Sequence, residues 1–413
     1  VSLDAFAERI AAPGPPPAHA LPLGLRFADS IGALLAGART REGVAHARLD
    51  TARTGVAYLA AVMRLSELDD IDLRTCTTPS AVVVPVVLAA ALRAPLAPEA
   101  IARGMHAGYH AIARAGLAAG GIEAFTRGVW PTLAVAPLGA AATGAALRGY
   151  SGAQTATAMR LALLRAVGRA GATIPPLPGR WWLFGESVAA GVAAADAAAA
   201  GFLADPALDT LLGDLSADPF GAALADDDCG WISQKTFPTA RQGANAAVAF
   251  ADLLRGEALD PARIARIAVE VPPQQVRVIS TPLDPANRLS AIANIGVQLG
   301  AVAFAPALLA DCDREPPFPT AVLALAKRVT IVPSDELGAA FPRCWPARVI
   351  VELDDGKCFE RTRFTIPGDP GEPLTLDDLA VTYAALDRAM LADAAAALTD
   401  ADALERTLAR VRA

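Results

Sequence analysis

At 413 residues, with 54% apolar and 19% charged residues and a formal net charge of -7, the chain is long enough for two cores and lacks the basic balance expected of a nucleic-acid-binding surface. A mean hydropathy of +0.37 raises the question of a membrane, but the longest apolar stretches, Ala81–Leu92 and Val188–Leu203, are interrupted by Pro85 and Asp196 and fall short of the roughly 20 residues a spanning helix needs. The five cysteines, Cys76, Cys229, Cys312, Cys344 and Cys358, contain no C-x-x-C pair, so zinc and iron–sulfur ligation lack support and reduced thiols are expected. Val1–Ile10 carries Asp4, Glu8 and Arg9 and does not read as a signal peptide. The expectation is a cytoplasmic protein with a small-molecule ligand.

In chain order, apolar residues recur at helical spacing over Phe27–Leu35, Val56–Leu65 and Ile101–Arg114, then over Ala134–Leu147, Ala153–Val167 and Ser187–Ala204, with the Pro-rich Ile174–Gly179 as punctuation. Abundant alanine and few aromatics suit closely approaching helices. Beyond Ile232 the texture turns β-branched and alternating in Ile264–Val271, Arg328–Ile331 and Arg348–Leu353, and Asp355-Gly356 predicts a hairpin between Val349–Leu353 and Cys358–Phe364. Helical spacing resumes in Leu376–Met390 and Leu398–Val411. The predicted fold is mainly α with an inserted α+β domain: a large helical domain over 1–232, the α+β domain over 233–373 and a return to the helical domain over 374–413. The alternative is two sequential domains with no return.

Several short motifs stand out in order along the chain. They are Phe27-Ala-Asp-Ser-Ile-Gly-Ala-Leu-Leu-Ala-Gly37, Glu67-Leu-Asp-Asp70, Thr78-Pro79-Ser80 with its apolar helix, Ala107-Gly-Tyr109, Arg127-Gly-Val-Trp-Pro-Thr132 and Lys235-Thr-Phe-Pro238. Arg328-Val-Thr-Ile, Phe341-Pro342, the Asp-Gly hairpin, Gly368-Asp-Pro370 and Pro373-Leu-Thr375 follow. Each is weak alone, but together they span nearly the whole chain and resemble the MmgE/PrpD family of 2-methylcitrate dehydratases and cis-aconitate decarboxylases. The resemblance implies a helical domain built from both chain ends, an α+β lid inserted near Lys235, a homodimer, and an active site between domain and lid. It also implies loss of water or carbon dioxide from polycarboxylates without an iron–sulfur cluster, so no cofactor is expected.

The chain departs from that pattern at its histidines. Thr78 stands where the family's His-Pro-Gly/Ser motif begins, Trp130 where a histidine follows Arg-Gly-Phe, Ala244 downstream of the Lys-x-Tyr/Phe-Pro motif, and Phe184 at another histidine position. Only His19, His46, His106 and His110 exist in the whole chain, so no shift of register restores the set. Ordinary methylcitrate dehydratase or cis-aconitate decarboxylase activity is therefore not expected. Indole, phenyl and methyl groups in place of imidazoles predict a more apolar and roomier pocket, and hence a larger, less charged substrate than citrate. The leading reading is a diverged enzyme of a specialised pathway performing elimination, isomerisation or cyclisation; the alternatives are a small-polycarboxylate lyase and a noncatalytic binding or scaffold protein.

Lys235 leads the candidate catalytic residues, because an ammonium there can bind a carboxylate or stabilise an enolate. Asp69, Asp70 and Asp72 follow, since burial and mutual repulsion raise a carboxylate toward the range of a useful base; capping or solvation is the plain alternative. Substrate contacts are expected from Thr78, Trp130, Tyr109, Arg241, Phe184 and Ala244, with Arg241 open to a two-pronged carboxylate contact or a surface ion pair. Cys76 reads as an inert buried thiol. His106 and His110 have the four-residue spacing of paired metal ligands, but with no intervening glutamate and no third ligand a packing role is favoured and no metal is expected.

Overall fold

The computed structural model describes residues 3–12, 23–49, 53–166, 179–212, 230–284 and 287–412. A first unit opens with α1 (Leu3–Ala11), α2 (Leu23–Ala38), α3 (Arg41–His46) and α4 (Val56–Leu65), then the two-residue strand β1 (Ile71–Asp72). It continues through α5 (Ser80–Arg93), α6 (Pro98–Ala118), α7 (Pro131–Leu147), α8 (Gly152–Leu163), α9 (Gly179–Ala199) and β2 (Ile232–Ser233). A second unit, Lys235–Pro373, holds α10 (Arg241–Gly256), β3 (Ile264–Val271), α11 (Pro273–Ile279), α12 (Arg288–Ala293), α13 (Ile295–Phe304), α14 (Pro306–Ala310), α15 (Thr320–Ala326), β4 (Val329–Pro333), α16 (Asp335–Gly338), β5 (Ala347–Leu353) and β6 (Cys358–Arg363). The chain then rejoins the first unit as α17 (Leu376–Thr382), α18 (Arg388–Ala396) and α19 (Ala401–Arg412). The result is a mainly α protein with a smaller α+β part, and no helix among the described residues is long and apolar enough to cross a membrane.

Small residues set the spacing of the helical unit. Gly108 on α6 lies against Thr143 of α7 and Val83 of α5, and Gly139 on α7 lies against Ile112 and Val82, so that a Cβ at either position would collide with its neighbours. Close approach lets α5, α6 and α7 bury their apolar faces at short interaxial distance, which is the structural use of the high alanine and glycine content. The short β1–β2 pair, with Ile71 opposite Ser233 and Asp72 opposite Ile232, ties the loop after α4 to the segment that ends at Gln234.

In the second unit the sheet order is β4-β3-β5-β6, with β3 parallel to β4 and antiparallel to β5. Along β5, Ala347, Val349, Val351 and Leu353 alternate inward and join Ile267 and Val269 of β3 with Phe250 and Leu253 of α10 in one core. The β5–β6 hairpin turns at Gly356, whose φ of +82° a side chain would oppose.

Three expected boundaries change. The segment Leu376–Met390 is two helices rather than one: α17 stops at Thr382, and Asp387 caps α18 by accepting from the Ala389 amide. The segment Ser187–Ala204 is the later part of a helix that starts at Gly179 and ends at Ala199, shortly before Gly201 takes a φ of +90°. The segment Ala153–Val167 is helical over Gly152–Leu163, with a Ser151–Gln154 capping box at its start; Val167 and residues 174–178 of the Pro-rich stretch lie outside the described residues.

Candidate active site in the helical unit

The loop between α4 and α5 brings the polar residues together. Two non-glycine residues in it have left-handed backbones, Glu67 at φ 55° and Cys76 at φ 57°, a conformation that costs about 1 to 2 kcal/mol each and persists where the surroundings enforce it. At Cys76, whose amide donates to the Asp72 carbonyl at 2.8 Å, Asp72 supplies much of that enforcement. Its carboxylate accepts from the Arg74 amide at 2.8 Å, the Thr75 amide at 3.2 Å and the Arg74 guanidinium at 2.9 Å, so this side chain staples its own loop. Burial still raises its carboxyl above the ordinary value, against the pull of Arg74.

Asp70 and Asp29 form a buried pair at the centre. Asp70 accepts from the Ser80 amide at 2.9 Å, in the first turn of α5, and from the Tyr109 hydroxyl at 3.1 Å, with the Arg26 guanidinium 3.8 Å away. Asp29, on α2, accepts from Gln234 Nε2 at 3.0 Å and from the Tyr383 hydroxyl at 2.7 Å. Tyr383 reaches it across Gly32, where a Cβ would run into the phenol ring. Burial pushes the Asp29 carboxyl up to about 7, against the two hydrogen bonds and with repulsion from Asp70 adding to the rise. Burial likewise raises Asp70, with Arg26 and Ser80 opposing. Arg26 donates to the Ile232 carbonyl at 3.3 Å, while its Nε has no hydrogen-bond acceptor among the described residues.

Beside this pair lies an aromatic and cationic patch. Arg64 of α4 forms a buried ion pair with Asp69. Its guanidinium lies 4.6 Å from the Trp181 ring and 5.7 Å from that of Trp130, and Arg180 lies 4.3 and 4.8 Å from the same rings. Trp130 meets Trp181 edge-on at 5.0 Å, and Phe184 is 5.8 Å from Trp130. Burial pushes Arg180 down to about 10, with Glu67 opposing and Arg64 adding to the fall. Among the described residues the Nε groups of Arg64 and Arg180 and the indole N–H of Trp181 have no acceptor, so these buried donors are suited to an anion.

Two family domains account for most of the chain: the MmgE/PrpD N-terminal domain matches residues 47–210 and the MmgE/PrpD C-terminal domain residues 237–404. The chain belongs to the MmgE/PrpD family. Membership suggests dehydratase-like or lyase chemistry, in a family that is generally enzymatic. No curated protein matches the chain at a significant level.

For an MmgE/PrpD protein the placement of the remaining candidates is informative. Thr78 is buried, and its amide meets the Thr132 hydroxyl at 3.1 Å. In the second unit Lys235 is buried at the start of Lys235-Thr-Phe-Pro238, a segment that Arg314 holds by donating to the Pro238 carbonyl at 2.7 Å. Arg241 is committed inside that unit: it pairs with Asp369 and donates to Asn245 Oδ1 at 2.7 Å, so the surface ion pair considered for it is instead fully buried. Ala244 is buried one turn further along α10. His106 and His110 on α6 bring their Nε2 atoms to 3.1 Å, and burial with repulsion from His110 pushes His106 down to about 4.

Reading the sequence missed Asp29, Arg26, Gln234, Tyr383, Arg64, Arg180 and Trp181. One signal was available, because Asp29 is an acid inside the otherwise apolar Phe27–Leu35 run. Three basic residues, Arg26, Arg64 and Arg180, arrive from α2, α4 and α9.

Proposed function

We propose that this MmgE/PrpD protein is a proton-transfer enzyme of lyase or isomerase/cyclase type, a cytoplasmic homodimer recruited to a specialised biosynthetic pathway. It acts by elimination, isomerisation or ring closure on a substrate larger and less polar than citrate. The observation that carries this reading is the Asp29–Asp70 pair, two buried carboxyls held above their ordinary range and each bonded to a tyrosine hydroxyl. A base that works near neutral pH needs such a raised pKa, and a proton taken by Asp70 has Tyr109 at hydrogen-bond distance to steady the carboxyl. Asp69 and Asp72 position their loop, and Trp130 and Phe184 supply apolar surface; Lys235 is kept as a candidate on its motif alone, as an ammonium suited to a carboxylate or an enolate. A second reading, a lyase of a small di- or tricarboxylate, draws support from guanidinium N–H groups of Arg26, Arg64 and Arg180 that have no acceptor among the described residues.

Mass spectrometry after incubation in deuterated water tests both. The panel contains cis-aconitate, 2-methylcitrate and larger unsaturated carboxylic or β-keto acids, and wild type is compared with Asp70→Asn and Lys235→Ala. Deuterium uptake or turnover confined to the larger compounds and lost in both variants supports the first reading. Efficient turnover of the small acids supports the second, and silence on every compound turns the argument toward noncatalytic binding.

A further inference from the structure

His106 and His110 have no part in the chemistry proposed above. They lie one turn apart on the 21-residue helix α6, with ring centroids 4.4 Å apart, planes inclined at 62° and Nε2 atoms 3.1 Å apart. Two imidazole nitrogens at about 2.05 Å from one cation and 3.1 Å from each other subtend about 98° at the ion. That angle falls between the roughly 90° of cis ligands in an octahedral or square-planar site and the roughly 109° of a tetrahedral one. The sequence spacing alone puts two histidines on one face; the structure adds that their Nε2 atoms face each other at 3.1 Å.

We propose that His106 and His110 form a two-nitrogen chelate for a borderline divalent transition-metal cation of the Zn2+ or Ni2+ class. Imidazole nitrogen is a good ligand for these ions, and His106 is partly exposed while His110 is buried, so one ring gives access and the other is held in place. Among the described residues no group of three or more His, Cys, Asp or Glu is arranged to hold a metal, so water completes the coordination shell. In the metal-free protein one ring donates its Nε2–H to the other. Binding requires that ring to carry its proton on Nδ1 instead, a change of tautomer.

Isothermal titration of the full chain with ZnCl2, and separately with NiCl2, tests the site against His106→Gln, His110→Gln and Cys358→Ser, the last a control for the exposed thiol. Wild type and Cys358→Ser should each bind one equivalent, and each histidine variant should bind at least about tenfold more weakly. Circular dichroism checks folding, and His106→Gln, on the more exposed ring, keeps the test valid if His110→Gln fails to fold. No binding by the wild type, or binding unchanged in the histidine variants, overturns the proposal.

Discussion

Asp29→Asn offers a direct test of the buried carboxylate pair, because the variant keeps the shape of the side chain and removes its titration. Below about pH 4 the Asp29 carboxyl is protonated in both folded and unfolded chains and has no electrostatic cost. Between its ordinary value of 3.8 and its folded value of about 7, the unfolded chain releases the proton while the folded chain retains it, so stability falls as pH rises; above that window the cost is constant. The cost is ~2 kcal/mol at pH 5 and ~4 kcal/mol at pH 8, so wild type should lose ~2 to 3 kcal/mol more than Asp29→Asn on moving between them. Gln234 can turn its amide to present an acceptor to the new NH2 group, which keeps the substitution mild in the acid range. Urea unfolding followed by tryptophan fluorescence, with both proteins at pH 5 and pH 8 and equal ionic strength, measures the difference. Parallel shifts in the two proteins, or a larger loss in the variant at pH 8, would refute a raised carboxyl at Asp29.

Three further outcomes follow from named contacts. Arg241→Ala leaves Asp369 charged and buried without its guanidinium and should cost ~3 to 5 kcal/mol, read as a lower denaturation midpoint, whereas replacing both partners by apolar residues should cost much less. Gly108→Ala drives a methyl group into Thr143 and to 2.6 Å from Val83 Cγ2, and should destabilise by ~1 to 3 kcal/mol in thermal unfolding. Tyr109→Phe removes the hydroxyl that donates to Asp70; ~1 kcal/mol of stability should be lost, and on a substrate that turns over the acid limb of the pH–rate profile should move upward, since the ionised carboxylate loses a donor.

Much of the architecture was legible in residue pattern. Val56–Leu65 and Ile264–Val271 are helix and strand over the residues that periodicity indicated, because both segments are backed by a core that matches their period. The break inside Leu376–Met390 was hidden: no glycine or proline marks it, and Tyr383 leaves helical geometry where its hydroxyl is bonded to Asp29, 354 residues away in sequence. Local propensity does not encode a hydrogen bond of that range.

The candidate site divides along the same line. Family motifs and residue chemistry were sufficient to single out Asp69, Asp70, Asp72, Tyr109 and Trp130, and the absence of the usual histidines is a property of the sequence alone. Which aspartate is stapled to its loop, which pairs with an arginine and which meets a tyrosine and a second carboxyl was decided only when α2, α4, α6, α9 and Tyr383 were packed around the loop. Ionisation depends on burial and on neighbours a few ångströms away, and those neighbours come from segments that nothing in the linear order places side by side.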